Sequence, residues 1–419
     1  MEDREIIVIG AGPAGSIASS LLKRAGHDVV VLERESFPRF SIGESLLPHC
    51  LDLVAEAGML GAIDAAGFQP KNGAAFARGE DYADFDFGQQ YSRGRATAFQ
   101  VPRARFDQLL AAEAERQGVE IRYRTGIAAV DFSSARPAVT TRDAAGNAAT
   151  LRADFVLDAS GFGRCLARQL ELERPSPFPV RQALFTHLAD GIPRGSFDRQ
   201  KIRIVVHPRH REVWFWLIPF SGGRSSLGVV ATPEFLAGFS GTPEARLRAL
   251  VAEDGGLAGL LGAARWDTAV REITGYSASV STLHGRGFAL LGNAAEFLDP
   301  VFSSGVTIAM RSASMAAAAL HRQLGGESVD WDEEFSRPLL RGVDVFRAYV
   351  EAWNDGRFQD IVFCQNPPEK FRAMICSVLA GYVWDVDNPF VTDARRRLAQ
   401  VAQLCAAGSH GGGTAGDRP

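Results

Sequence analysis

Lysine is rare in this sequence, and one lysine lies between two glycine-containing apolar pieces. The chain has 45 lysines and arginines together, of which only four are lysines. Lys71 is found in the stretch GFQPKNGAAF. A lysine side chain can donate hydrogen bonds as an ammonium and can react as a neutral amine, whereas arginine keeps its proton. Lys71 is therefore a candidate for chemistry; the alternative is an exposed lysine in a turn beside Asn72 and Gly73.

Two tryptophans share one face of a predicted strand. The stretch WFWLIP covers residues 214–219. Alternate side chains of a pleated strand point to opposite faces, so Trp214, Trp216 and Ile218 point one way. Pro219 is expected to end the strand. Two indoles on one face can form a wall; the alternative is that they fill the core of a sheet.

The N-terminal stretch EIIVIGAGPAGSIASSLLKRAGHDVVVLERE has the pattern of a dinucleotide-binding unit. Its continuous apolar runs predict two buried parallel strands, and Gly10, Gly12 and Gly15 open the helix between them. Glu33 ends the second strand, 18 residues after Gly15, where an acid can bind a ribose hydroxyl. We predict a bound dinucleotide, because an empty unit of this topology would leave Glu33 without a function.

A second helix start is predicted in the stretch LLGNAAEFLDPVFSSGVTIAM. Asp299 and Pro300 form a turn before Ser303, Ser304 and Gly305, and the unpaired N–H groups of the helix's first turn attract anions. An ordinary capped helix would explain a serine here. It would not explain the glycines, the acid and the proline together.

Several further elements must position these residues. Residues 101–123 predict an amphipathic helix followed by a strand, and ADFVLDASGFGR predicts a buried strand that ends at Asp158. The stretches VRQALFTHLAD, KIRIVVH, EVWFWLIPF and RSSLGVVAT predict an antiparallel sheet. We predict four parts: a discontinuous nucleotide-binding domain (1–75, 100–178 and 275–330), an antiparallel-sheet substrate domain (76–99 and 179–274), a helical region (331–405) and a flexible tail (406–419).

Composition excludes several classes of function. With a net charge of −4 and no block rich in lysine and arginine, the chain has no electrostatic footprint for nucleic acid. No apolar run approaches the roughly 18 residues that span a bilayer, and the start has no signal-peptide pattern, so we expect no membrane partner and a cytoplasmic protein. The cysteines lack any CxxC pair, so we expect buried thiols and no metal site: Cys50, Cys165, Cys364, Cys376 and Cys405.

The motifs resemble a known family. The glycine turn, SIGESLLP (41–48), DASGFGR (158–164) and GNAAEFLDPVFSSGV (292–306) resemble the fold of FAD-dependent aromatic monooxygenases. Within that fold SIGESLLP, KNGAAF and WFWLIP resemble flavin-dependent halogenases, and AGYVWDVDNPFV (380–391) resembles the branch that acts on phenols or pyrroles, often on a carrier protein. The implied fold class is α/β: an FAD/NAD(P)-binding Rossmann-like domain of aromatic-hydroxylase type with an antiparallel-sheet substrate layer and a helical C-terminal region.

The resemblance implies a reaction. A two-component halogenase uses FADH2 from a separate flavin reductase to convert O2 and halide (chloride or bromide) to hypohalous acid. It then halogenates an electron-rich aromatic, here of phenol or pyrrole type and carried by an acyl carrier protein, in the biosynthesis of natural products such as antibiotics. Lys71, Gly73 and Phe76 match the family's lysine pattern, so Lys71 is the catalytic residue. The indoles would form the tunnel wall that keeps the arene away from the flavin.

The resemblance also implies which residues bind FAD and halide. The FAD-binding residues are Gly10, Gly12, Pro13, Ala14, Gly15, Glu33, Arg34, Ser41, Ile42, Gly43, Arg103, Asp158, Gly161, Gly292, Asn293, Asp299, Pro300, Gly305 and Val306. The halide is expected at the backbone N–H groups of Ser304 and Gly305. The tunnel and substrate wall comprises Trp214, Trp216, Ile218 and Pro219.

Two residues depart from the family pattern. Arg78 stands where tryptophan is expected, and Glu296 replaces a small residue beside the flavin loop. A carboxylate near a halide would oppose its binding by Coulomb repulsion of about 1 to 4 kcal/mol at 4 Å. Two alternatives to the halogenase remain: an aromatic hydroxylase of the same fold, in which the tryptophans are core, and a flavoprotein that binds FAD or a carrier protein without turnover.

Overall fold

The structure is a computed structural model that describes residues 2–365 and 368–410. The strands in chain order are β1 (Glu2–Asp3), β2 (Ile6–Ile9), β3 (Val29–Leu32), β4 (Gln69–Lys71), β5 (Gly73–Arg78), β6 (Asp81–Asp86), β7 (Ala98–Gln100), β8 (Glu120–Arg122), β9 (Gly126–Asp131), β10 (Ala138–Arg142), β11 (Ala148–Arg152), β12 (Phe155–Asp158), β13 (Glu173–Arg174), β14 (Gln182–Ala189), β15 (Lys201–Val206), β16 (Trp214–Phe220), β17 (Arg224–Ala231), β18 (Arg271–Thr274), β19 (Ser279–Val280), β20 (His284–Gly285) and β21 (Phe288–Leu290).

The helices in chain order are α1 (Pro13–Arg24), α2 (Pro48–Glu56), α3 (Leu60–Asp64), α4 (Arg103–Arg116), α5 (Cys165–Gln169), α6 (Pro233–Ala237), α7 (Pro243–Ala252), α8 (Gly255–Leu260), α9 (Ser304–Leu324), α10 (Arg337–Asn354), α11 (Arg357–Val362), α12 (Glu369–Leu379), α13 (Pro389–Thr392) and α14 (Ala394–His410). A π-helical turn (Asp332–Ser336) precedes α10, and short 3-10 turns lie at Phe87–Gln89, Gly161–Gly163, Gly292–Ala294 and Pro300–Phe302.

The chain folds into two compact units. The first unit comprises Met1–Phe68, Val101–Pro179 and Ser277–Arg341, and the second comprises Gln69–Gln100, Val180–Tyr276 and the chain from Gly342 onward. The structure thus groups residues 69–75 with the second unit, because β4 pairs with β7 and β5 pairs with β15. Lys71 consequently belongs to the sheet unit and not to the unit that carries the glycine-rich turn.

The first unit contains the sheet predicted from the apolar N-terminal runs. Six strands lie in the order β20-β21-β12-β2-β3-β8, and the pairs from β21 to β8 are parallel. Each residue of β2 and β3 is at most 3% exposed, as expected of continuous apolar runs in a parallel sheet. A smaller sheet has the order β1-β11-β10-β9.

Helices α1 and α9 pack against each other in this unit. Pro13 begins α1, where the missing N–H needs no partner, and Gly26 follows its end with a φ of +97°. The buried faces of both helices carry small residues, including Ala18 on α1 and Ala316 on α9. Small side chains let two helix backbones approach closely.

The second unit is built on a seven-stranded sheet of order β18-β14-β17-β16-β15-β5-β6. The four predicted strands are present, and they pair with one another in antiparallel fashion. The sheet is mixed, however, because β15 pairs with β5 in parallel. The predicted antiparallel layer is wrong at this one pair, which joins segments more than a hundred residues apart in sequence.

Strand β16 continues through Pro219 to Phe220, so the prediction that Pro219 ends the strand is wrong. The pairing of β16 with β15 ends at Leu217, and Pro219 pairs only with Ser225 of β17. A proline is tolerated there because no neighbouring strand needs its N–H on the other side. The opposite face of β16 packs into a core that includes Phe215, Leu217, Leu184, Val229, Leu247 and Leu250.

The C-terminal helices belong to the same unit as this sheet from Gly342 onward. Helix α14 extends to His410, so the first residues of the predicted tail are helical. Residues 411–419 of that tail lie outside the described residues. Among the helices described, none is long and apolar enough to cross a membrane.

We expect Gly228→Ala to destabilise the protein, because a Cβ at Gly228 would lie 2.2 Å from the Trp216 ring. Overpacking of this kind lowers the free energy of unfolding by about 1–3 kcal/mol. Urea denaturation followed by circular dichroism measures it. Gly259→Ala in α8 is the matched control, because a Cβ there meets nothing within 4 Å; equal stability of the two variants would contradict the packing.

Candidate active site

The turn between β2 and α1 is a tight backbone cradle. Gly10 has a φ of +94°, and a Cβ on it would lie 2.7 Å from the carbonyl oxygen of Ala159. A Cβ on Gly15 would lie 1.9 Å from the carbonyl oxygen of Gly10. Both positions therefore require glycine. Gly12 precedes the first turn of α1, whose unpaired N–H groups can bind a phosphate.

Glu33 lies directly after β3 and is 5% exposed. Its Oε2 accepts a hydrogen bond from the N–H of Ala11 at 2.8 Å, and its Oε1 accepts one from the N–H of Glu35 at 2.9 Å. Each carboxylate oxygen can accept a second hydrogen bond. Glu33 is thus held beside the glycine turn in a position that suits a ribose hydroxyl.

Arg39 is a site residue that the sequence analysis missed. Its Nη2 lies 3.4 Å from where a Cβ on Gly12 would be. Its Nη1 lies 3.4 Å from Oδ2 of Asp107, and its Nε lies 3.8 Å from Oε1 of Glu33. A guanidinium over a helix N-terminus suits a pyrophosphate. No spacing in the sequence singles out Arg39 among 41 arginines.

Arg103 links α4 to the SIGESLLP segment. It forms a bidentate ion pair with Asp107, with distances of 2.8 and 3.1 Å. Its Nη1 donates to the carbonyl oxygens of Ile42 at 2.5 Å and Gly43 at 3.3 Å. A Cβ on Gly43 would lie 3.0 Å from this nitrogen and 3.6 Å from Val306. The structure therefore brings four of the predicted FAD residues together.

Asp158 shapes the loop after β12. Its carboxylate accepts hydrogen bonds from the N–H groups of Ser160 at 2.9 Å and Leu166 at 2.7 Å. Complete burial raises the pKa of Asp158, against the lowering effect of these hydrogen bonds. Gly161, with a φ of +61°, begins the 3-10 turn that follows. Both oxygens of Asp158 serve the loop that lies next to Gly10.

The segment before α9 is as constrained as the glycine turn. A Cβ on Gly292 would lie 2.7 Å from that of Ala309, and Oδ1 of Asp299 accepts from the N–H of Val301 at 3.1 Å. Ser303 has a φ of +57°, and α9 begins at Ser304. The N–H groups of Ser304 and Gly305 thus belong to the first turn of a 21-residue helix.

The remaining predicted residues differ in their surroundings. The side chain of Arg34 is 74% exposed and pairs with Glu35 at 3.2 Å, so it points to solvent. The carbonyl oxygen of Asn293 accepts from Arg164 at 3.4 Å. Glu296, one of the two departures, is 7% exposed, and its N–H donates to the carbonyl oxygen of Gly292. Pro13 and Ala14 are buried, and Ser41 and Pro300 are half-buried.

The first unit fits FAD. The glycine turn leaves no room for a Cβ at Gly10 or Gly15, an acid is buried after the next strand, and Arg39 lies near the start of α1. These are the features that a dinucleotide's pyrophosphate and ribose require. Among the residues that the structure describes, no group of three His, Cys, Asp or Glu side chains could hold a metal ion.

Lys71 is buried in the second unit. It is 1% exposed, and its Nζ lies 5.3 Å from the centroid of the Phe87 ring. The carbonyl oxygen of Asn72 accepts from the N–H of Phe87 at 2.7 Å, which keeps the ring at this distance. An ammonium over an aromatic face is attracted by the ring's quadrupole. The prediction of an exposed turn lysine, the alternative above, is therefore wrong.

Lys201 is the other buried lysine of this unit, and its surroundings differ. Its Nζ lies 2.8 Å from Asp198 and 3.4 Å from Asp84. Burial disfavours the charged form, but the hydrogen bond and the charges of both aspartates outweigh it and raise the pKa of Lys201. Lys201 is thus a permanent cation with a structural role beside Gly73.

Helix α12 holds the segment that carries Phe87. Oγ of Ser377, fully buried, accepts from the N–H groups of Tyr91 at 2.9 Å and Ser92 at 2.8 Å. Sγ of Cys376 donates to the carbonyl oxygen of Asp86 at 3.1 Å. The helix thus binds the backbone on both sides of Phe87.

The motif AGYVWDVDNPFV also contacts the segment that follows Phe87. The hydroxyl of Tyr382 donates to the carbonyl oxygen of Arg95 at 3.1 Å. A Cβ on Gly94 would lie 2.3 Å from the Tyr382 ring, so the ring packs directly on this backbone. Nδ2 of Asn388 donates to the carbonyl oxygen of Met374 in α12 at 2.9 Å. Residues 380–391 therefore fix α12 and the segment that it holds.

Trp214 and Trp216 form one aromatic layer. Their ring centroids are 6.0 Å apart, and they are 3% and 9% exposed. Trp214 lies edge-on to Trp353 at 6.4 Å, and the indole N–H of Trp216 donates to Ser226 at 3.0 Å. Ile218 is on the same face and is 6% exposed. Trp214, Trp216 and Ile218 thus share one face of β16, as predicted, and all three side chains are buried.

We expect Gly12→Leu to weaken FAD binding, because the new side chain would occupy the space between the start of α1 and Arg39. A loss of about tenfold or more, ~1.4 kcal/mol, is anticipated. Quenching of flavin fluorescence on titration measures it. Gly61→Ala in α3, where a Cβ meets nothing within 4 Å, is the control. Unchanged affinity of Gly12→Leu would show that the cradle is not the pyrophosphate site.

We expect Ser377→Ala to lower the free energy of unfolding by about 1–3 kcal/mol, because the buried N–H of Ser92 loses its acceptor. Hydrogen exchange should accelerate in residues 87–95 and not in the first unit. Thr392→Val in α13 is a suitable comparison, since it also removes a hydroxyl but one that is exposed and makes only a 3.5 Å contact. Equal exchange in both variants would exclude this role for Ser377.

Known proteins share these features. Residues 3–332 match the family described as FAD binding domain. A tryptophan 2-halogenase of Chondromyces crocatus is 32% identical over 77% of this chain and 62% of its own length. The flavin-dependent halogenase armH5 of Armillaria mellea is 30% identical over 87% of this chain and 69% of its own length. A 1H-pyrrole-2-carbonyl-[peptidyl-carrier protein] chlorinase of Pseudomonas fluorescens is 27% identical over 96% and 94%.

A solved structure agrees over almost the whole chain. A protein of Cytophaga hutchinsonii described as a flavoprotein/dehydrogenase has a TM-score of 0.94 and 44% identity, and the match covers 97% of this chain and 100% of that one. The chain spans about three fifths of the tryptophan 2-halogenase and nearly all of this flavoprotein. The fold, the FAD cradle and these relatives lead to one conclusion: the chain belongs to the flavin-dependent halogenase family of FAD-binding proteins, and its cofactor is FAD.

Proposed function

We propose that this protein is an FADH2-dependent halogenase that acts on an electron-rich aromatic substrate of phenol or pyrrole type. The observation that carries the proposal is the position of Lys71, which is 1% exposed with its Nζ 5.3 Å from the centroid of the Phe87 ring. The motif match at Lys71, Gly73 and Phe76 and the family of the chain support it.

Reduced FAD, when bound, would supply the two electrons and two protons with which O2, halide and one further proton become hypohalous acid and water. The residues proposed to hold it are those of the first unit described above, with Arg39 added to the predicted set. The glycine turn and Arg39 bind the pyrophosphate, and Glu33 binds a ribose hydroxyl. The segment of Gly43, Arg103 and Val306 provides a rigid wall that orients the rest of the cofactor.

The halide is proposed to bind at the N–H groups of Ser304 and Gly305. They lie in the first turn of a 21-residue helix, whose dipole favours an anion. Glu296 is buried within the preceding loop, which makes halide affinity sensitive to the direction of its carboxylate. Backbone donors impose no particular geometry on a monatomic anion, so the site suits chloride and bromide alike.

Lys71 is proposed to hold the hypohalous acid and direct it at the arene. As an ammonium it donates a hydrogen bond to the oxygen of the acid, which makes the halogen more electrophilic. The carbon–halogen bond forms, the halogen–oxygen bond breaks, and the ring proton leaves with the oxygen as water. As a neutral amine, Lys71 would instead displace water to form a haloamine, which transfers its halogen to the ring and regains the proton.

The aromatic layer of Trp214 and Trp216 is proposed as the wall that confines the substrate. Ile218 and Pro219 extend the strand that carries it. Because Trp214 packs against Trp353 and Trp216 donates a hydrogen bond to Ser226, the wall is rigid. The same packing favours a second candidate function, an aromatic hydroxylase in which these residues are only core.

The partners are proposals as well. A separate flavin reductase would supply FADH2. The substrate is proposed to be an aromatic acyl group on a carrier protein, which the carrier-protein chlorinase of Pseudomonas fluorescens supports through its 94% coverage. The tryptophan 2-halogenase, by its name, acts on tryptophan instead.

We expect turnover with FADH2, O2, bromide and either phloroglucinol or a pyrrole-2-carbonyl thioester to give a product with the isotope doublet of bromine. Mass spectrometry of the product measures it, with catalase present to remove peroxide and a bromide-free reaction as the control. A product that gains one oxygen and no bromine would identify the hydroxylase. Oxidation of FADH2 with no change in either probe would indicate a flavoprotein that has no halogenase activity.

A further inference from the structure

The ribbon of β4 and β7 places one buried amide on the same face as Lys71. Gln69 pairs with Gln100, and Lys71 pairs with Ala98. Residues opposite each other, or two apart on one strand, share a face of a ribbon. Gln69, Lys71, Ala98 and Gln100 therefore share a face. Lys71, Ala98 and Gln100 are 1%, 1% and 0% exposed, and Gln69 at the start of β4 is half-buried.

The orientation of the Gln100 amide is fixed. Its Nε2 donates to the carbonyl oxygen of Arg199 at 2.9 Å, and a reversed amide would bring two oxygens together. Oε1 of Gln100 is buried and has no hydrogen-bond partner among the described residues. A buried amide oxygen that lacks a donor destabilises a fold. It is thus a positioned acceptor on the inner face of the ribbon.

We propose that Oε1 of Gln100 accepts a hydrogen bond from the O–H or N–H group of the aromatic substrate. The inference rests on the proposed role of Lys71. Diagonal neighbours on a ribbon are about 7–8 Å apart, a distance that a single aromatic ring can bridge. The hydroxyl or ring N–H is also the group that makes such a ring electron-rich. Accepting its proton in a hydrogen bond increases the electron density on the carbon that faces Lys71.

The substrate class follows from this geometry. The site selects arenes that carry a hydrogen-bond donor on or in the ring, and it discriminates against their methylated counterparts. A site built to bind a hydroxyl rejects an analogue that lacks it, because the buried acceptor is then left without a partner. Gln100 is in this sense a specificity-determining residue.

The test uses FAD-loaded full-length protein and two probes, 3-methoxyphenol and 1,3-dimethoxybenzene, which differ by one O–H. Calorimetric titration without reductant measures binding independently of turnover. We expect the parent to bind the phenol at least tenfold more tightly, and Gln100→Met to abolish this difference. Gln117→Met is the matched control, since Gln117 also donates to a backbone carbonyl, that of Ala57, but lies in the first unit.

The same variants are compared in bromination, with each rate ratio for the two probes divided by the ratio for free hypobromous acid. We expect the parent to exceed the solution ratio at least tenfold and Gln100→Met to match it. The inference is overturned if the parent shows no preference in binding, including no measurable binding of either probe, or if Gln100→Met keeps the preference. A binding preference without bromination would instead overturn the halogenase proposal and leave the role of Gln100 intact.

Discussion

The burial of the Lys71 side chain is the constraint on which the second unit is organised. Removing an amine-bearing side chain from water is unfavourable unless its surroundings replace the lost hydration. The structure provides the Phe87 ring at 5.3 Å and a ribbon of two strands that leaves Lys71 1% exposed. The start of β5 after Lys71 is equally constrained, because a Cβ on Gly73 would lie 2.0 Å from the carbonyl oxygen of Phe85.

The C-terminal helices appear remote in sequence but complete this arrangement. Through Ser377 and Tyr382 they bind the backbone of the segment that follows Phe87. Rigid positioning matters for an electrophile as reactive as hypohalous acid, because a displacement of about 1 Å can cost a hundredfold in rate. The same unit therefore holds Lys71, the packed indoles and the helices that contact their surroundings.

Local patterns in the sequence were sufficient for the nucleotide-binding elements. Strands β2 and β3 are continuous apolar runs, and Gly10 and Gly15 are required by close backbone contacts, so pattern and structure coincide there. The parallel pairing of β15 with β5 could not be read in the same way, since neither strand's own sequence identifies a partner more than a hundred residues away. The prediction that Pro219 ends β16 was wrong for a related reason. Whether a proline ends a strand depends on whether a neighbouring strand would accept a hydrogen bond from an N–H at that position.

The residues missed are those whose roles arise from distant contacts. Arg39 gains its position from Asp107, and Ser377 from backbone groups nearly three hundred residues away. Nothing in the sequence around Gln100 distinguishes it from other glutamines. The register of β4 with β7 places it on the same face as Lys71. The proposed chemistry of Lys71 rests on its residue type and motif, whereas its surroundings required the fold.

The most direct measurement is the rate of brominated product formed by Lys71→Ala, at equal FAD loading, with the exposed Lys370→Ala as the control. The account predicts that Lys71→Ala loses product formation by about 10²–10⁴-fold, the range of a single proton-transfer or hydrogen-bonding group. FAD binding and oxygen consumption should persist, and Lys370→Ala should match the parent. Bromination by Lys71→Ala at the parent rate would contradict the account and indicate that hypohalous acid reacts by free diffusion.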